Sequence, residues 1–180
     1  MKKRSMEALN RLSPEAFRQS GKTPVAVVLD NVRSALNVGS AFRTADAFAI
    51  EKMVLCGITA QPPHREILKT ALGATDSVDW TYFASALDAA RSLKEEGYQI
   101  VAVEQATDSV LLQVFESEAK VPCALFFGNE VSGVSDEVLS MADACIEIPQ
   151  AGTKHSLNIS VCVGVVVWEF FKRYHPEKLQ

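Results

Sequence analysis

The sequence lacks the features that mark membrane and secreted proteins. It has no run of about 18 apolar residues that could cross a membrane as a helix. Its N-terminus, Met1-Lys-Lys-Arg-Ser, leads into Glu7, Arg11 and Glu15 rather than into the apolar stretch of a signal peptide. We therefore expect a cytoplasmic protein without a membrane anchor.

Cysteine is scarce and scattered. The 4 cysteines each stand alone in an apolar run, and no C-x-x-C pair occurs. Isolated cysteines of this kind usually pack as small apolar side chains rather than bind metal or form disulfides. We predict buried thiols and no metal site. The residues concerned are Cys56, Cys123, Cys145 and Cys162.

Positive charge is also in short supply for a protein that binds nucleic acid. The net charge is −4, whereas phosphate binding depends on clustered Lys and Arg. In the first fifty residues, however, Lys and Arg outnumber Asp and Glu. Either a local basic face or an ordinary solvated helix surface explains this bias. The basic residues are Lys2, Lys3, Arg4, Arg11, Arg18, Lys22, Arg33 and Arg43.

What the sequence does contain is a regular alternation of short apolar runs and longer amphipathic ones. This pattern is typical of strand–helix units around a parallel sheet. We predict an α/β fold with a mostly parallel sheet flanked by helices, in one domain over 23–180 that follows a helical extension over 1–22. Ser13, Asn37 and Ser85 are candidate helix N-caps. Predicted strands cover Val25–Leu29, Met53–Gly57, Trp80–Phe83, Gln99–Val103, Ala124–Phe127 and Cys145–Ile148, and predicted helices cover Val38–Phe48, Leu87–Glu96, Glu137–Met141 and Ile159–Tyr174.

The segment from Asp30 to Arg43 joins a buried strand to a helix, which is where open α/β sheets bind ligands. If the helix begins at Val38, its apolar stripe faces the core, and Gly39 and Arg43 lie on the flank or outside. Arg43 then projects near the helix start. An ordinary exposed arginine that follows an N-cap at Asn37 explains the same pattern.

A second loop, Phe127–Ser135, contains two glycines and the carboxylate of Glu130. Glycine lets backbone approach a ligand closely. The spacing matches neither G-x-G-x-x-G nor a Walker loop, because no Lys-Ser or Lys-Thr pair follows. A strand-to-helix turn capped by Ser132 or Ser135, with Glu130 in solvent, is the alternative interpretation.

A third loop, Ile146–Asn158, ends on Ser156 and Asn158, which either cap the next helix or offer polar groups to a ligand. That helix is apolar on nearly every side, so we expect it to lie between the sheet and a second subunit. The adjacent pair His155-Ser156 does not indicate a catalytic triad, because a triad is defined by spatial geometry and G-x-S-x-G is absent.

Together, the three loops resemble the signature motifs of the SpoU (TrmH-like) branch of the SPOUT methyltransferase superfamily, over most of the chain. The motif N-x-G followed by R-T-A is present as Asn37-Val-Gly-Ser-Ala-Phe-Arg43-Thr-Ala. G-x-E-x-x-G is present as Gly128-Asn-Glu130-Val-Ser-Gly133, and I-P-x-x-G-x-x-x-S-L-N as Ile148-Pro-Gln-Ala-Gly-Thr-Lys-His-Ser156-Leu-Asn158. Each motif alone is weak, but all three in this order are specific.

The resemblance implies properties that the pattern alone does not provide. These are a deep C-terminal trefoil knot, S-adenosyl-L-methionine as cofactor, a homodimer, and methyl transfer to a ribose 2′-hydroxyl of tRNA or rRNA. The pattern alone indicates an unknotted doubly wound sheet, since knots are rare. The resemblance assigns catalysis to Asn37, Arg43, Glu130, Ser156 and Asn158, and cofactor binding to Val103, Glu104, Gly128, Ile148 and Leu157.

The resemblance implies that Arg43 contacts the target 2′-hydroxyl and phosphate and is the proposed general base. A guanidinium has a pKa above about 12 and normally stays charged, so we favour Arg43 as a phosphate clamp and oxyanion stabiliser. Leu36, Ala49 and Gln150 depart from the His, Gly and Met that are common in the family, but none removes a proposed catalytic group. A non-catalytic RNA- or cofactor-binding member, or a base methyltransferase, remains an alternative to the ribose methyltransferase.

Overall fold

The structure is a computed structural model that describes residues 3, 12–116, 121–154 and 156–179. Its strands are β1 (Thr23–Asp30), β2 (Ile50–Cys56), β3 (Trp80–Phe83), β4 (Gln99–Val103), β5 (Val110–Leu111), β6 (Cys123–Phe127) and β7 (Ala144–Glu147). They form one 7-stranded sheet in the order β3-β2-β1-β6-β4-β7-β5, in which each neighbouring pair is parallel.

Helices cover both faces of the sheet. They are α1 (Pro14–Gln19), α2 (Ala35–Ala47), α3 (Arg65–Ala71), α4 (Ala74–Ser77), α5 (Ala86–Glu95), α6 (Asp136–Met141) and α7 (Ile159–Tyr174), followed by a 3₁₀ turn at Pro176–Leu179. Side chains alternate along a strand, and in β1 both sets are apolar. Val27 packs in the core with residues of α2, α3 and α7, whereas Val28 packs with residues of α5 and α6. The predicted α/β fold is confirmed.

Every predicted strand and helix is present, with ends that shift by up to three residues. The starts of β2 and α2 both shift by three residues, and α2 begins at Ala35 because the Ser34 hydroxyl accepts the Asn37 N–H at 3.4 Å. Asn37 is therefore not the N-cap that the sequence predicted. The predicted position of Gly39 was also wrong, because Gly39 is buried against α3 and does not lie on an outer flank of the helix. Ser85 does cap α5.

Several features were missed or lie beyond the described residues. The sequence did not predict α3, α4 or β5, each of which is seven residues or shorter. Of the proposed extension, α1 is present with Ser13 as its N-cap. The basic residues Lys2, Arg4 and Arg11, and also His155, lie outside the described residues. Neither the domain boundary nor the knot is tested by these observations, so both stay predictions.

The thiols are less uniformly buried than predicted. Cys56 and Cys123 are buried, but Cys145 and Cys162 are only half-buried, so the prediction was wrong for these two. Burial raises the pKa of the Cys56 thiol to about 12 and that of Cys162 to about 11. Within the described part of the chain, no helix is long and apolar enough to span a membrane, and no group of three or more His, Cys, Asp or Glu could hold a metal ion.

The strand register determines where the site can form. Leu29 of β1 pairs with Phe127 of β6, which pairs with Val103 of β4, which in turn pairs with Ile146 of β7. The carboxyl ends of these four parallel strands therefore lie in one row. The loops that follow them meet at this edge, as is typical of ligand sites in parallel sheets.

Candidate active site

A cavity of about 540 Å³ opens at the carboxyl ends of β4, β6 and β7. This is a common size for a site that binds a small molecule or cofactor. Each of the three strands continues into one wall of the cavity, and the loop before α7 forms another. The described residues that line it are Val103, Glu104, Gln105, Gly128, Asn129, Glu130, Val131, Gly133, Ile146, Glu147, Ile148, Gln150, Ser156, Leu157, Asn158, Ile159 and Cys162.

Most of the residues that the sequence singled out meet at this cavity. All five assigned to cofactor binding lie on its wall, together with Glu130, Ser156 and Asn158. Asn37 does not line it but contacts both Glu130 and Asn158. Arg43 is also not among the described lining residues.

The Glu130 carboxylate links the second motif to the first. Its Oε2 accepts the backbone N–H of Arg33 at 2.9 Å, and its Oε1 accepts the N–H of Ser34 at 3.1 Å and the Asn37 amide at 3.4 Å. Partial burial by itself would raise the pKa of Glu130. Hydrogen bonds from the backbone of Arg33, Glu130 itself and Ser34, and from the Asn37 side chain, outweigh burial and hold that pKa below its ordinary value of 4.5. Glu130 is therefore an exposed carboxylate that is anchored by hydrogen bonds rather than free in solvent.

Asn37 and Asn158 connect Glu130 to the third motif. The Asn158 amide nitrogen donates to Asn37 Oδ1 at 3.3 Å. Asn158 Oδ1 accepts the backbone N–H of Ser160 at 3.0 Å and its hydroxyl at 2.7 Å, so Asn158 also caps α7. The capping and functional interpretations of Asn158 are thus compatible. A continuous chain of hydrogen bonds runs from Glu130 through Asn37 to Asn158.

The two glycines of the second motif are required by packing inside the loop. A Cβ at Gly128 would lie 2.0 Å from the Gly133 carbonyl carbon. Gly133 has φ +72, and a Cβ there would lie 2.2 Å from Glu104 Oε2. That Oε2 accepts the N–H of Val134 at 3.0 Å. The glycines thus let the loop fold tightly against Glu104, which forms one wall of the cavity.

Arg43 lies in the first motif but apart from the cavity wall. Because α2 begins at Ala35, Arg43 is about 12 Å along the helix axis from its first residue, not near the helix start. Its side chain is exposed, whereas Phe42 beside it is fully buried in the core. A substrate bound at the protein surface can therefore reach the guanidinium.

Three residues that sequence reasoning did not single out hold the loops together. Asp30 is 1% exposed, and its Oδ2 accepts both the N–H and the hydroxyl of Ser135, at 3.0 and 2.8 Å. The Asn129 amide donates to the Asn31 carbonyl at 2.7 Å. The pair Asp30-Asn31 at the end of β1, with Asn31 at φ +56, is a turn signature that could have identified these two residues.

The charges of the cavity define the ligands that it can bind. Three carboxylates lie on its wall, and none of the described lining residues is Lys or Arg. Glu104 and Glu130 are already engaged by backbone N–H groups, but each carboxylate retains further acceptor capacity. Glu147 is the third. Apolar walls with acidic groups favour a ligand that carries both an apolar ring and positive charge.

The chain is similar to known RNA-modifying proteins. The profile of the SpoU rRNA Methylase family matches residues 24–168. A tRNA (guanosine(18)-2′-O)-methyltransferase of Thermus thermophilus is 32% identical over 91% of this chain and 81% of its own length. An uncharacterized tRNA/rRNA methyltransferase of Synechocystis sp. is 31% identical over 92% of this chain but only 42% of its own length.

Structural similarity leads to the same family. The crystal structure of an AdoMet-bound rRNA methyltransferase from Sinorhizobium meliloti superimposes with a TM-score of 0.77 at 31% identity, covering 91% of this chain and 61% of that one. The chain thus spans less than two thirds of the length of two of these three proteins. Because the family match extends over most of the chain and includes all three motifs, the chain belongs to the SpoU rRNA Methylase family.

Proposed function

We propose that the protein is an RNA 2′-O-methyltransferase that uses S-adenosyl-L-methionine to methylate a ribose of tRNA or rRNA in the cytoplasm. One observation carries this proposal. The hydrogen-bonded chain Glu130–Asn37–Asn158 joins one residue from each family motif at the edge of a cavity. Relatives of similar sequence are named as 2′-O-methyltransferases of tRNA and 23S rRNA.

The residues of the cavity fit S-adenosyl-L-methionine. This cofactor carries an adenine ring, a sulfonium cation and an ammonium group. Leu157 and Ile148 offer apolar surface for the ring, and Glu104 and Glu147 offer negative charge for the cationic groups. The Sinorhizobium meliloti relative is described as AdoMet-bound. When bound, the cofactor supplies an electrophilic methyl group.

The protein's own residues must bring a ribose hydroxyl to that methyl group and help to remove its proton. A ribose hydroxyl is a weak nucleophile, so orientation and electrostatic stabilisation provide much of the rate enhancement. Arg43 binds the adjoining phosphate and stabilises the developing oxyanion. Ser156 and Asn158 position the substrate by hydrogen bonds, and Glu130 holds the loop that begins α2.

The exposed face of α7 supports a homodimer. Val161, Val165 and Trp168 recur at helical spacing and are 51, 39 and 42% exposed. The rings of Trp168, Phe48 and Phe171 pack together beside this stripe. An apolar stripe of this size is costly in water, and a second copy of the chain would bury it.

The test is methyl transfer to RNA by native protein and by Arg43→Ala. With radiolabelled cofactor and total tRNA or rRNA from a strain that lacks the gene, native protein should label a ribose 2′-O-methyl nucleoside. Arg43→Ala should reduce kcat by at least about 100-fold while the cofactor Kd stays within a factor of two, because Arg43 acts on the substrate. The matched control is Arg91→Ala, an exposed arginine of α5, which should retain full activity.

Mass analysis of the labelled nucleosides separates the alternatives. A methylated base would favour a base methyltransferase, and cofactor binding without transfer to any RNA would favour a non-catalytic member. Full activity of Arg43→Ala would show that its assigned role is wrong. Arg43→Lys, which keeps the charge but not the planar fork, should retain part of the activity if Arg43 acts as a clamp.

A further inference from the structure

We propose that Ile58, Val131 and Arg33 form a contact surface for a nucleobase next to the target nucleotide. This inference rests on the proposed function. Val131 is 78% exposed and Ile58 is 67% exposed, although both belong to loops at the carboxyl edge of the sheet that are held by hydrogen bonds. Exposed apolar side chains on ordered loops beside a cavity are typical of a binding surface.

The two apolar residues are held in place through Asn31. The Ile58 N–H donates to Asn31 Oδ1 at 3.1 Å. The Asn31 carbonyl accepts the Asn129 amide at 2.7 Å, and Asn129 Oδ1 accepts the Val131 N–H at 2.8 Å. Ile58 and Val131 therefore follow one another along a short chain of hydrogen bonds. Backbone that is already fixed loses little entropy when a ligand binds the side chains that it carries.

The loop after β2 is tightly constrained on both sides of Ile58. Gly57 has φ +59, and a Cβ there would lie 2.1 Å from Asn31 Oδ1. The Thr59 hydroxyl is buried, donates to the Leu29 carbonyl at 3.1 Å and accepts the Val32 N–H at 2.9 Å. Folding thus leaves Ile58 in solvent between two anchored residues, even though burial would stabilise it.

This surface adjoins the acidic cavity wall at Val131, but the two segments that carry Arg33 and Ile58 are basic. Val131 and Glu130 line the cavity, and Glu130 Oε2 holds the Arg33 backbone at 2.9 Å. Segments 31–44 and 57–70 contain four Arg or Lys and one acidic residue, Glu66, in a chain of net charge −4. The four are Arg33, Arg43, Arg65 and Lys69.

Apolar contact beside cations is the chemistry that binds an unpaired nucleotide. Proteins hold single-stranded RNA by packing flat or apolar side chains on base faces and by pairing Arg or Lys with phosphates. Protein partners require no such excess of positive charge. The local charge therefore favours RNA as the occupant, with Ile58 and Val131 on the base and Arg33 on its phosphate.

The experiment measures binding of a labelled single-stranded RNA of about twelve nucleotides, and of an abasic chain of the same length, by fluorescence anisotropy. Ile58→Ser and Val131→Ser should each weaken RNA binding by about tenfold, because each loses apolar contact with a base. Their binding of the abasic chain should not change. The matched control is Leu72→Ser, which is also 67% exposed but lies just after the C-terminal end of α3.

Three results would overturn the inference: native affinity in both variants, equal losses for RNA and the abasic chain, or an equal loss in Leu72→Ser. Urea unfolding monitored by circular dichroism, which should be close to that of native protein, establishes that the variants are folded. If native protein methylates RNA and Ile58→Ser leaves both the RNA KM and Kd unchanged, this surface is wrong but the proposed function stands. If native protein binds neither RNA nor the cofactor, both are wrong.

Discussion

At the scale of single residues, the three motifs are connected by hydrogen bonds rather than by sequence proximity. Glu130 accepts N–H groups from the loop after β1, and Asp30 accepts groups from Ser135 at the end of the Glu130 loop. The two carboxylates therefore fasten the two loops to each other from opposite sides. The sequence indicated Glu130 through its motif, whereas only the turn signature Asp30-Asn31 points to Asp30, because its partner Ser135 is distant in the chain.

The depressed pKa of Glu130 predicts a pH-dependent contribution to stability. A carboxyl whose folded pKa lies below its unfolded pKa stabilises the fold above the unfolded value, near 4.5, and that contribution is lost as the pH falls through the folded pKa. Glu130→Gln should lower the free energy of unfolding by about 1 kcal/mol at pH 7. The neutral amide has only one acceptor oxygen, so it cannot accept the three hydrogen bonds that the carboxylate accepts. Urea unfolding between pH 7 and pH 3 measures the difference.

The difference between native protein and Glu130→Gln should shrink below about pH 4.5, as the native carboxyl becomes protonated. Glu95→Gln at the exposed end of α5 is the control and should show little difference at any pH. If Glu130→Gln leaves the free energy of unfolding unchanged at pH 7, or if the difference from native protein grows as the pH falls, the Glu130 carboxylate does not stabilise the fold as proposed.

At the scale of helices and strands, the sequence predicted the elements with long periodic patterns and missed the short ones. Neither α3 nor α4 is long enough to display an amphipathic period. Because α3 was not predicted, the burial of Gly39 was not predicted either, since its neighbours are Ile67 and Thr70 of that helix. The structure also gives the reason for the glycine that the family resemblance leads us to expect at position 49, because Ala49 follows α2 with φ +48, a conformation that favours glycine.

The contact between α2 and α3 predicts that Gly39 tolerates no side chain. A Cβ there would lie 2.1 Å from Thr70 Oγ1 and 2.3 Å from the Ile67 carbonyl oxygen, and the latter is backbone that cannot rotate away. Gly39→Ala should therefore lower the free energy of unfolding by about 1–3 kcal/mol through overpacking, although alanine favours helices. Ser40→Ala, at the next and half-buried position of the same helix, should change it by less than about 0.5 kcal/mol. Urea unfolding of both variants provides the comparison, and a more stable Gly39→Ala would refute this packing.

At the scale of the whole molecule, the site was predictable where strand order alone determines it. Parallel strands bring their carboxyl ends to one edge, so motifs placed after β1, β6 and β7 had to converge. The separation of Arg43 from the cavity could not be predicted, since it depends on where α2 begins and on its direction. If a second subunit packs on the exposed stripe of α7, the Arg43 that serves a cavity can come from the partner, which would account for the separation.

If Arg43 serves the cavity of its partner subunit, two inactive variants should restore each other. Arg43→Ala retains a normal cavity, and Leu157→Arg should lose cofactor binding because the new side chain fills the cavity with positive charge. In a mixed dimer, the cavity of the first subunit meets the intact Arg43 of the second. Random reassociation should therefore recover about a quarter of native activity, since half of the dimers are mixed and each has one complete site of two. If Arg43 acts within its own subunit, every mixed dimer lacks a complete site and activity stays at zero. Methyl transfer is measured after the variants are mixed, denatured and refolded together, and light scattering must find each variant dimeric for the comparison to hold.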